Sequence, residues 1–184
     1  MVKNFIKEIT LKSGETLILR QPIEEDAMNM IEYLNIVGGE SDNLLFGKDE
    51  FRLSVEQEKE YIKKIHQDPN MLMLLGIINN TVVSIAEIRS LGRKRIAHNS
   101  EVAISVIKEY WGIGVGSAVM EELISFAKEH EVIKNISLSV KASNERAIKL
   151  YERFGFLQVG SHKDYFNING EYDDDYIMDL YLDK

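Results

Sequence analysis

Three alternating glycines constrain this chain more than any other feature. They lie in the segment W-G-I-G-V-G, residues 111 to 116. Before this segment, apolar and small residues alternate from Val102 to Val106, which predicts a strand. After it, apolar residues between Val119 and Ala127 recur at spacings of three and four, which predicts a helix. The glycines therefore lie where a strand turns into a helix.

A glycine-rich junction of this kind favours anion binding. The first N–H groups of a helix have no partner within the helix, and the helix dipole makes that end positive. Glycines let the backbone approach a phosphate closely. The alternative is a glycine-rich turn that only changes the chain direction. A Walker loop is excluded because Ser117 and Ala118 follow the last glycine, and a dinucleotide fingerprint is excluded because Gly116 comes one position too early.

A second strand-to-helix unit follows near Asn144. Apolar residues alternate with serines from Ile136 to Val140, which predicts a strand. Ser143 or Asn144 can then cap a helix, and Gly155 can end it. The segment from Asn144 to Phe156 reads N-E-R-A-I-K-L-Y-E-R-F-G-F.

Together the two segments resemble the GNAT superfamily of acyl-CoA-dependent N-acyltransferases. The phosphate loop of that family is written Q/R-x-x-G-x-G/A, and residues 111–116 match it with one departure, Trp111. The family pattern N-x-x-A-x-x-L-Y-x-x-x-G-F is matched at every position by residues 144–156. The resemblance is strong from about Val82 to Leu182. Before Val82 it rests only on the order of elements.

The resemblance implies a mixed α/β fold in one acetyltransferase domain covering residues 1–184, with a core at about 16–182. The family sheet is mostly antiparallel, is splayed between its fourth and fifth strands, and carries helices on both faces. The remaining patterns agree with this order. They predict an opening strand pair at residues 10–20, a helix at 24–35 followed by a polar segment, a capped helix from Ser54, and hairpins at Asn79-Asn80 and Asn169-Gly170.

The resemblance also implies a binding site for acetyl-CoA as the acyl donor. The backbone of the splayed strand would bind the pantetheine arm, as an added strand would. The glycine loop would bind the pyrophosphate, and Asn144 would bind pantetheine or phosphates unless it serves only as a helix cap. Arg146 or Lys149 could meet the 3′-phosphate, although such residues are more often only solvated. The predicted donor-binding residues are Ile104, Ser105, Val106, Trp111, Gly112, Ile113, Gly114, Val115, Gly116, Ser117 and Asn144.

For catalysis, the resemblance places Tyr151 as the general acid that protonates the leaving thiolate. The amine needs a base or a water chain leading to one, because an ammonium has no free lone pair. Glu101 is the first prediction for that base, and Glu87 is the second. For each, the alternative is a solvated carboxylate at a strand edge. Some relatives carry a catalytic Glu where this chain has Ser139, so that route is closed here.

The acceptor is less constrained than the donor. The segment from Gly39 to Asp42, with Phe46 and Phe51 nearby, lies where relatives build part of the acceptor pocket. Its Glu40 and Asp42 suggest recognition of a cationic amine. We expect an acetyltransferase that moves the acetyl group, by direct attack in a ternary complex, to a primary amine of a small molecule, protein or peptide. The alternative is a sensor that binds acyl-CoA without turnover.

Composition limits the other partners. The net charge of −8 argues against nucleic acid, which binds mainly through Lys and Arg. The chain of 184 residues has no cysteine and no apolar run long enough for a membrane span. Its four histidines lie far apart, so we expect no metal site. These features predict a cytoplasmic protein, and the resemblance is compatible with a homodimer.

Overall fold

The strands and helices follow one another in the order that the sequence patterns predict. In a computed structural model, which describes residues 6–183, they lie as follows. The strands are β1 (Ile6–Thr10), β2 (Thr16–Arg20), β3 (Met71–Ile78), β4 (Thr81–Ser90), β5 (Asn99–Val106), β6 (Asn135–Lys141), β7 (Leu157–Ile168) and β8 (Glu171–Tyr181). The helices are α1 (Ala27–Glu40), α2 (Val55–Gln67), α3 (Val115–Glu129) and α4 (Glu145–Arg153).

All eight strands form one sheet, in the order β1-β2-β3-β4-β5-β6-β8-β7. The pair β5 and β6 is parallel, and the other neighbouring pairs are antiparallel. Pairing between β5 and β6 ends at Glu101, which lies opposite Ser137. Because β5 continues to Val106, its last residues have no strand beside them on the β6 side. This confirms the splay predicted between the fourth and fifth strands of the family, which are β5 and β6 here because the opening strand pair is counted as two strands, β1 and β2.

Helices cover both faces of the sheet, as predicted. Successive side chains of a strand point to opposite faces. In β3, Leu74 packs in a cluster with α3 and α4, whereas Met73 and Leu75 pack in a second cluster with α1 and α2. The two clusters therefore lie on opposite faces. Among residues 6–183, no helix is long and apolar enough to cross a membrane.

The short local signals are confirmed. Ser54 accepts a hydrogen bond from the Gln57 N–H at 3.2 Å, and its own N–H donates to the Gln57 side chain at 2.9 Å, which completes the capping box. Asn79 and Asn80 have φ values of 49° and 63°, as a tight hairpin turn requires.

The end of α1 differs from the prediction. The sequence predicts a helix to Asn35 and then a polar segment, but α1 continues through both glycines to Glu40. A Cβ atom at Gly38 would lie 2.7 Å from the Gly47 carbonyl oxygen. The chain at Gly47 can approach α1 this closely only because residue 38 is a glycine. This packing outweighs the low helix propensity of glycine.

Candidate functional site

A cleft of about 850 Å³ opens where β5 and β6 diverge. It is lined by the free part of β5, by β6, by α4, by residues 110–112, 114, 116 and 117, and by Ser41 and residues 43–46 after α1. The splay removes hydrogen-bonding partners from β5 and opens this space beside them. The two motifs found in the sequence therefore meet across one cleft.

The glycine loop leads directly into α3 with its amides unused. Gly112 and Gly114 have φ values of 79° and 111°, a region that other residues rarely adopt. No side chain caps α3, and the N–H groups of residues 115–117 donate to nothing among residues 6–183. A Cβ atom at Gly112 would meet nothing within 4 Å, so the surface beside the loop is open. The free N–H groups of residues 115–117 and the open surface beside them can accommodate a diphosphate.

Trp111, the departure from the family pattern, ties the loop to the end of β5. Its indole Nε1 donates a hydrogen bond to the Val106 carbonyl at 2.7 Å. The Arg146 guanidinium of α4 lies 3.3 Å from the centre of the Trp111 ring. A cation stacked on an indole face is attracted to it. Trp111 thus links β5, the loop and α4, and it holds Arg146 at the cleft.

The free part of β5 does not present every residue to the cleft. Successive residues of a strand direct their N–H and C=O groups to opposite sides. The Ile107 N–H donates to Val83 of β4, and the Ser105 carbonyl accepts from the Ser84 hydroxyl at 2.9 Å. By alternation, the polar groups of Ile104 and Val106 face the splay. The prediction that the Ser105 backbone binds pantetheine does not fit this geometry.

The start and end of α4 add polar groups to the donor side. Asn144 Oδ1 accepts from the Ala147 N–H at 3.3 Å, so its capping role is confirmed, and its amide NH₂ has no bond to residues 6–183. Arg153 donates to the Ser117 hydroxyl at 3.4 Å. Arg153 was missed in the sequence because its distance from the loop depends on how α4 packs against α3. Lys149 also lines the cleft, and its ammonium pairs with Glu145 at 3.6 Å.

Tyr151 lies on the inner side of α4, where it lines the cleft. Its side chain is buried, and its ring packs against Phe156 with centres 5.9 Å apart. Burial raises the pKa of the Tyr151 hydroxyl to about 12, because a charged phenolate is disfavoured away from water. The hydroxyl makes no hydrogen bond to residues 6–183. It is therefore a protonated donor that is free to bind a ligand.

The two predicted bases, Glu101 and Glu87, also line the cleft. No register shift interrupts the pairing of β4 with β5, so Glu101 stays on the face opposite Val102. Its Oε2 accepts from Arg89 at 3.0 Å. Glu87 lies deeper, and its Oε2 accepts from the Tyr61 hydroxyl at 2.8 Å. Each carboxylate thus has one oxygen bound within the protein.

The residues suggested for acceptor recognition do not come together. Glu40 accepts a hydrogen bond from the Lys108 N–H at 2.8 Å, so it fixes the turn after β5. Asp42 is exposed and does not line the cleft. Phe46 lines the cleft, and Phe51 packs behind it with ring centres 6.1 Å apart. This end of the cleft is therefore more apolar than the sequence suggested.

Comparison with known proteins agrees with this geometry. Residues 43–156, more than half of the chain, match the model of the acetyltransferase (GNAT) family. The L-amino acid N-acetyltransferase AaaT of Escherichia coli is 33% identical over 116 residues, which cover 63% of this chain and 72% of that protein.

Solved structures share the fold. The GNAT-family acetyltransferase of Streptococcus pneumoniae superposes with a TM-score of 0.87 at 29% identity, over 90% of this chain and 99% of the other. The structure of yncA from Salmonella typhimurium, a putative acetyltransferase with its cofactor acetyl-CoA, superposes with a TM-score of 0.78 at 17% identity, over 91% and 95% of the two chains. The chain belongs to the GNAT acetyltransferase family and is an acyltransferase.

Proposed function

We propose that this protein transfers an acetyl group from acetyl-CoA to a primary amine, with both substrates bound at once. One observation carries the proposal. The unpaired edge of β5 leads into the uncapped start of α3, and the free hydroxyl of Tyr151 lines the same cleft. An extended thioester with a diphosphate at its far end fits this arrangement of donors.

The donor would lie along β5 with its diphosphate at α3. The amides of residues 115–117 supply N–H donors, and Arg146 and Arg153 add positive charge from α4. The Val106 carbonyl is already bonded to Trp111, so we assign the pantetheine contacts to both backbone groups of Ile104 and to the Val106 N–H. The acetyl-CoA in the structure of yncA supports this donor.

The reaction needs three proton movements. An ammonium with an ordinary pKa of about 10.4 must lose a proton before its nitrogen can attack the thioester carbonyl. The leaving thiolate, of ordinary pKa about 8.5, must gain one. Tyr151 can supply that proton because burial keeps its hydroxyl protonated. The attacking nitrogen loses its second proton as the tetrahedral adduct collapses, and that proton restores the Tyr151 hydroxyl. The net reaction gives an amide and a thiol, and one proton passes to solvent.

The acceptor would enter beside the carboxylates of the cleft. Glu101 and Glu87 each keep one oxygen free of hydrogen bonds to residues 6–183, and a negatively charged end attracts an ammonium. We retain Glu101, and Glu87 second, as the predicted acceptors of its proton. The relative AaaT is named for L-amino acids, which supports an acceptor of that size.

The test combines donor binding with turnover. Coenzyme A at about 100 times its dissociation constant should stabilise the fold by about 2.7 kcal/mol. Thiol release from acetyl-CoA should then depend on an added amine from a panel of L-amino acids, polyamines and peptides. Stabilisation without turnover on any amine would favour the acyl-CoA sensor. No stabilisation would overturn the donor site itself.

A further inference from the structure

A third carboxylate lies one hydrogen bond away from the cleft. Asp175 of β8 is 1% exposed, although a carboxylate is costly to remove from water. Its Oδ2 accepts from the Ser139 hydroxyl at 2.9 Å, and its Oδ1 has no partner among residues 6–183. A buried carboxylate oxygen with no donor is unusual and calls for an explanation.

Ser139 connects this carboxylate to the reaction space. It lines the cleft together with Tyr151. In β6 it is an exposed position between the buried Leu138 and Val140. A hydroxyl both accepts and donates, so Ser139 can bond a ligand in the cleft while it donates to Asp175. The sequence places no acid at position 139, but the fold places one directly behind it.

His162 connects the same carboxylate to solvent. Its Nδ1 lies 3.4 Å from Asp175 Oδ2, and its side chain is 55% exposed. The register of β7 with β8 shifts between His162 and Phe166, and such irregularities often redirect side chains beside active sites. Lys141, which lies opposite Asp175 in β6, pairs with Asp173 at 3.7 Å. Ser139, Asp175 and His162 therefore form a continuous path from the cleft to water.

We infer that Asp175, acting through Ser139, receives the proton released by the acceptor amine, and that His162 passes it to solvent. The inference rests on the proposed transfer to an amine. It replaces Glu101, and Glu87 second, as the acceptors of that proton, and leaves both carboxylates to bind the ammonium, since Glu101 is already held by Arg89 and Glu87 by Tyr61. Histidine suits the final step because an imidazole ring can accept a proton at one nitrogen and release one from the other.

The proton steps balance without another reactant. An N–H bond of the ammonium breaks as an O–H bond forms at Ser139 Oγ, while the original hydroxyl proton moves to Asp175 Oδ2. The amine is now neutral and Asp175 is a carboxylic acid. That proton next moves to His162 Nδ1, and the resulting imidazolium gives one proton to water. Exchange with water then restores the His162 tautomer that carries its proton on Nε2. Asp175 is again a carboxylate, and Ser139 has kept one proton throughout.

The first experiment measures thiol release with the best amine of the panel. Asp175→Asn and Ser139→Ala should each lower kcat at least about tenfold, within the usual range for proton-transfer groups, and leave the KM for acetyl-CoA unchanged. Asp179→Asn is the matched control. Asp179 lies on the same strand and face and also has an unpartnered buried oxygen, but its hydrogen bond comes from Tyr181, which does not line the cleft. Its kcat should stay within twofold of wild type.

The second experiment separates a proton path from a structural role. His162→Ala removes an exposed ring, so added imidazole can reach Asp175. Imidazole should raise the kcat of His162→Ala in proportion to its concentration and should leave wild type and Ser139→Ala unchanged. If Asp175→Asn does not fold, the rescue of His162→Ala by imidazole still tests the proton path.

The outcomes separate the two proposals. An active wild type with an unaffected Asp175→Asn, or His162→Ala that loses activity without rescue, would overturn the proton path alone. A wild type that turns over no amine would overturn both proposals.

Discussion

Trp111 gives the sharpest test of how the loop is held. Trp111→Phe removes the indole hydrogen bond to Val106, at 2.7 Å, and keeps a ring beneath Arg146. Trp111→Leu removes that bond and also the stacked cation, whose guanidinium lies 3.3 Å from the ring centre. The two variants therefore separate the two contacts.

The expected magnitudes follow from these contacts. A hydrogen bond contributes about 0.5–1.5 kcal/mol net. A cation on an aromatic face contributes about 0.5–2 kcal/mol, depending on how far it is desolvated. The free energy of unfolding should fall by about 1 kcal/mol in Trp111→Phe and by about 1–3 kcal/mol in Trp111→Leu. In a chain of this size, each kcal/mol shifts Tm by about 2–4 °C.

Urea unfolding of the free protein measures these differences, and a double-mutant cycle with Arg146→Met isolates the stacking energy. The KM for acetyl-CoA should rise several-fold in Trp111→Leu, since Arg146 loses its support. The value of kcat should hold, because Tyr151 is untouched. Two results would refute this reasoning: equal stability of all three proteins, or a coupling energy of zero with Arg146→Met.

Three further predictions concern neighbouring positions. Gly114→Ala should cost about 1–3 kcal/mol in thermal unfolding, because φ is 111° there. Gly116→Ala is the control and should be nearly neutral, because the new Cβ meets only the Leu150 side chain at 3.3 Å. Similar losses of stability in Gly114→Ala and Gly116→Ala would contradict the strain argument. Burial, with Glu87 nearby, raises the pKa of Glu58 above its ordinary 4.5. The native state therefore binds more protons than the unfolded state, and the free energy of unfolding falls as pH rises through the raised pKa. Glu58→Gln should therefore be the more stable protein in urea at pH 8, with the gain vanishing near pH 4, and a gain independent of pH would be inconsistent with this cause. Finally, Glu101→Gln should raise the KM for the amine, because it removes a negative charge that attracts the ammonium. A fall in kcat with an unchanged KM would instead make Glu101 the base.

The parts predicted from sequence are those set by local chemistry. Gly112, Gly114 and the hairpin asparagines have the positive φ values that their turns need, and Asn144 makes the predicted capping hydrogen bond. The order of strands and helices was also predictable, because hydrophobic periodicity is read from residues that are close together in the chain. The resemblance supplied the splay, which no local pattern encodes.

The parts that were missed depend on distant packing. Asp175 lies behind Ser139 only because β8 pairs with β6, and the two residues are 36 positions apart in the chain. Arg153 reaches Ser117 across an equal separation. Glu40 was assigned to the acceptor because it is acidic, yet it binds the Lys108 N–H once α1 extends past its glycines. A single sequence carries no signal for such contacts.

The central claim is that Tyr151 protonates the leaving thiolate in a cleft that holds acetyl-CoA. The most direct measurement is the steady-state rate of amine-dependent thiol release by Tyr151→Phe, which removes one oxygen and keeps the ring packed on Phe156. The account predicts that kcat falls about 10²–10⁴-fold while the KM for acetyl-CoA stays within about twofold. A kcat equal to that of wild type would contradict it.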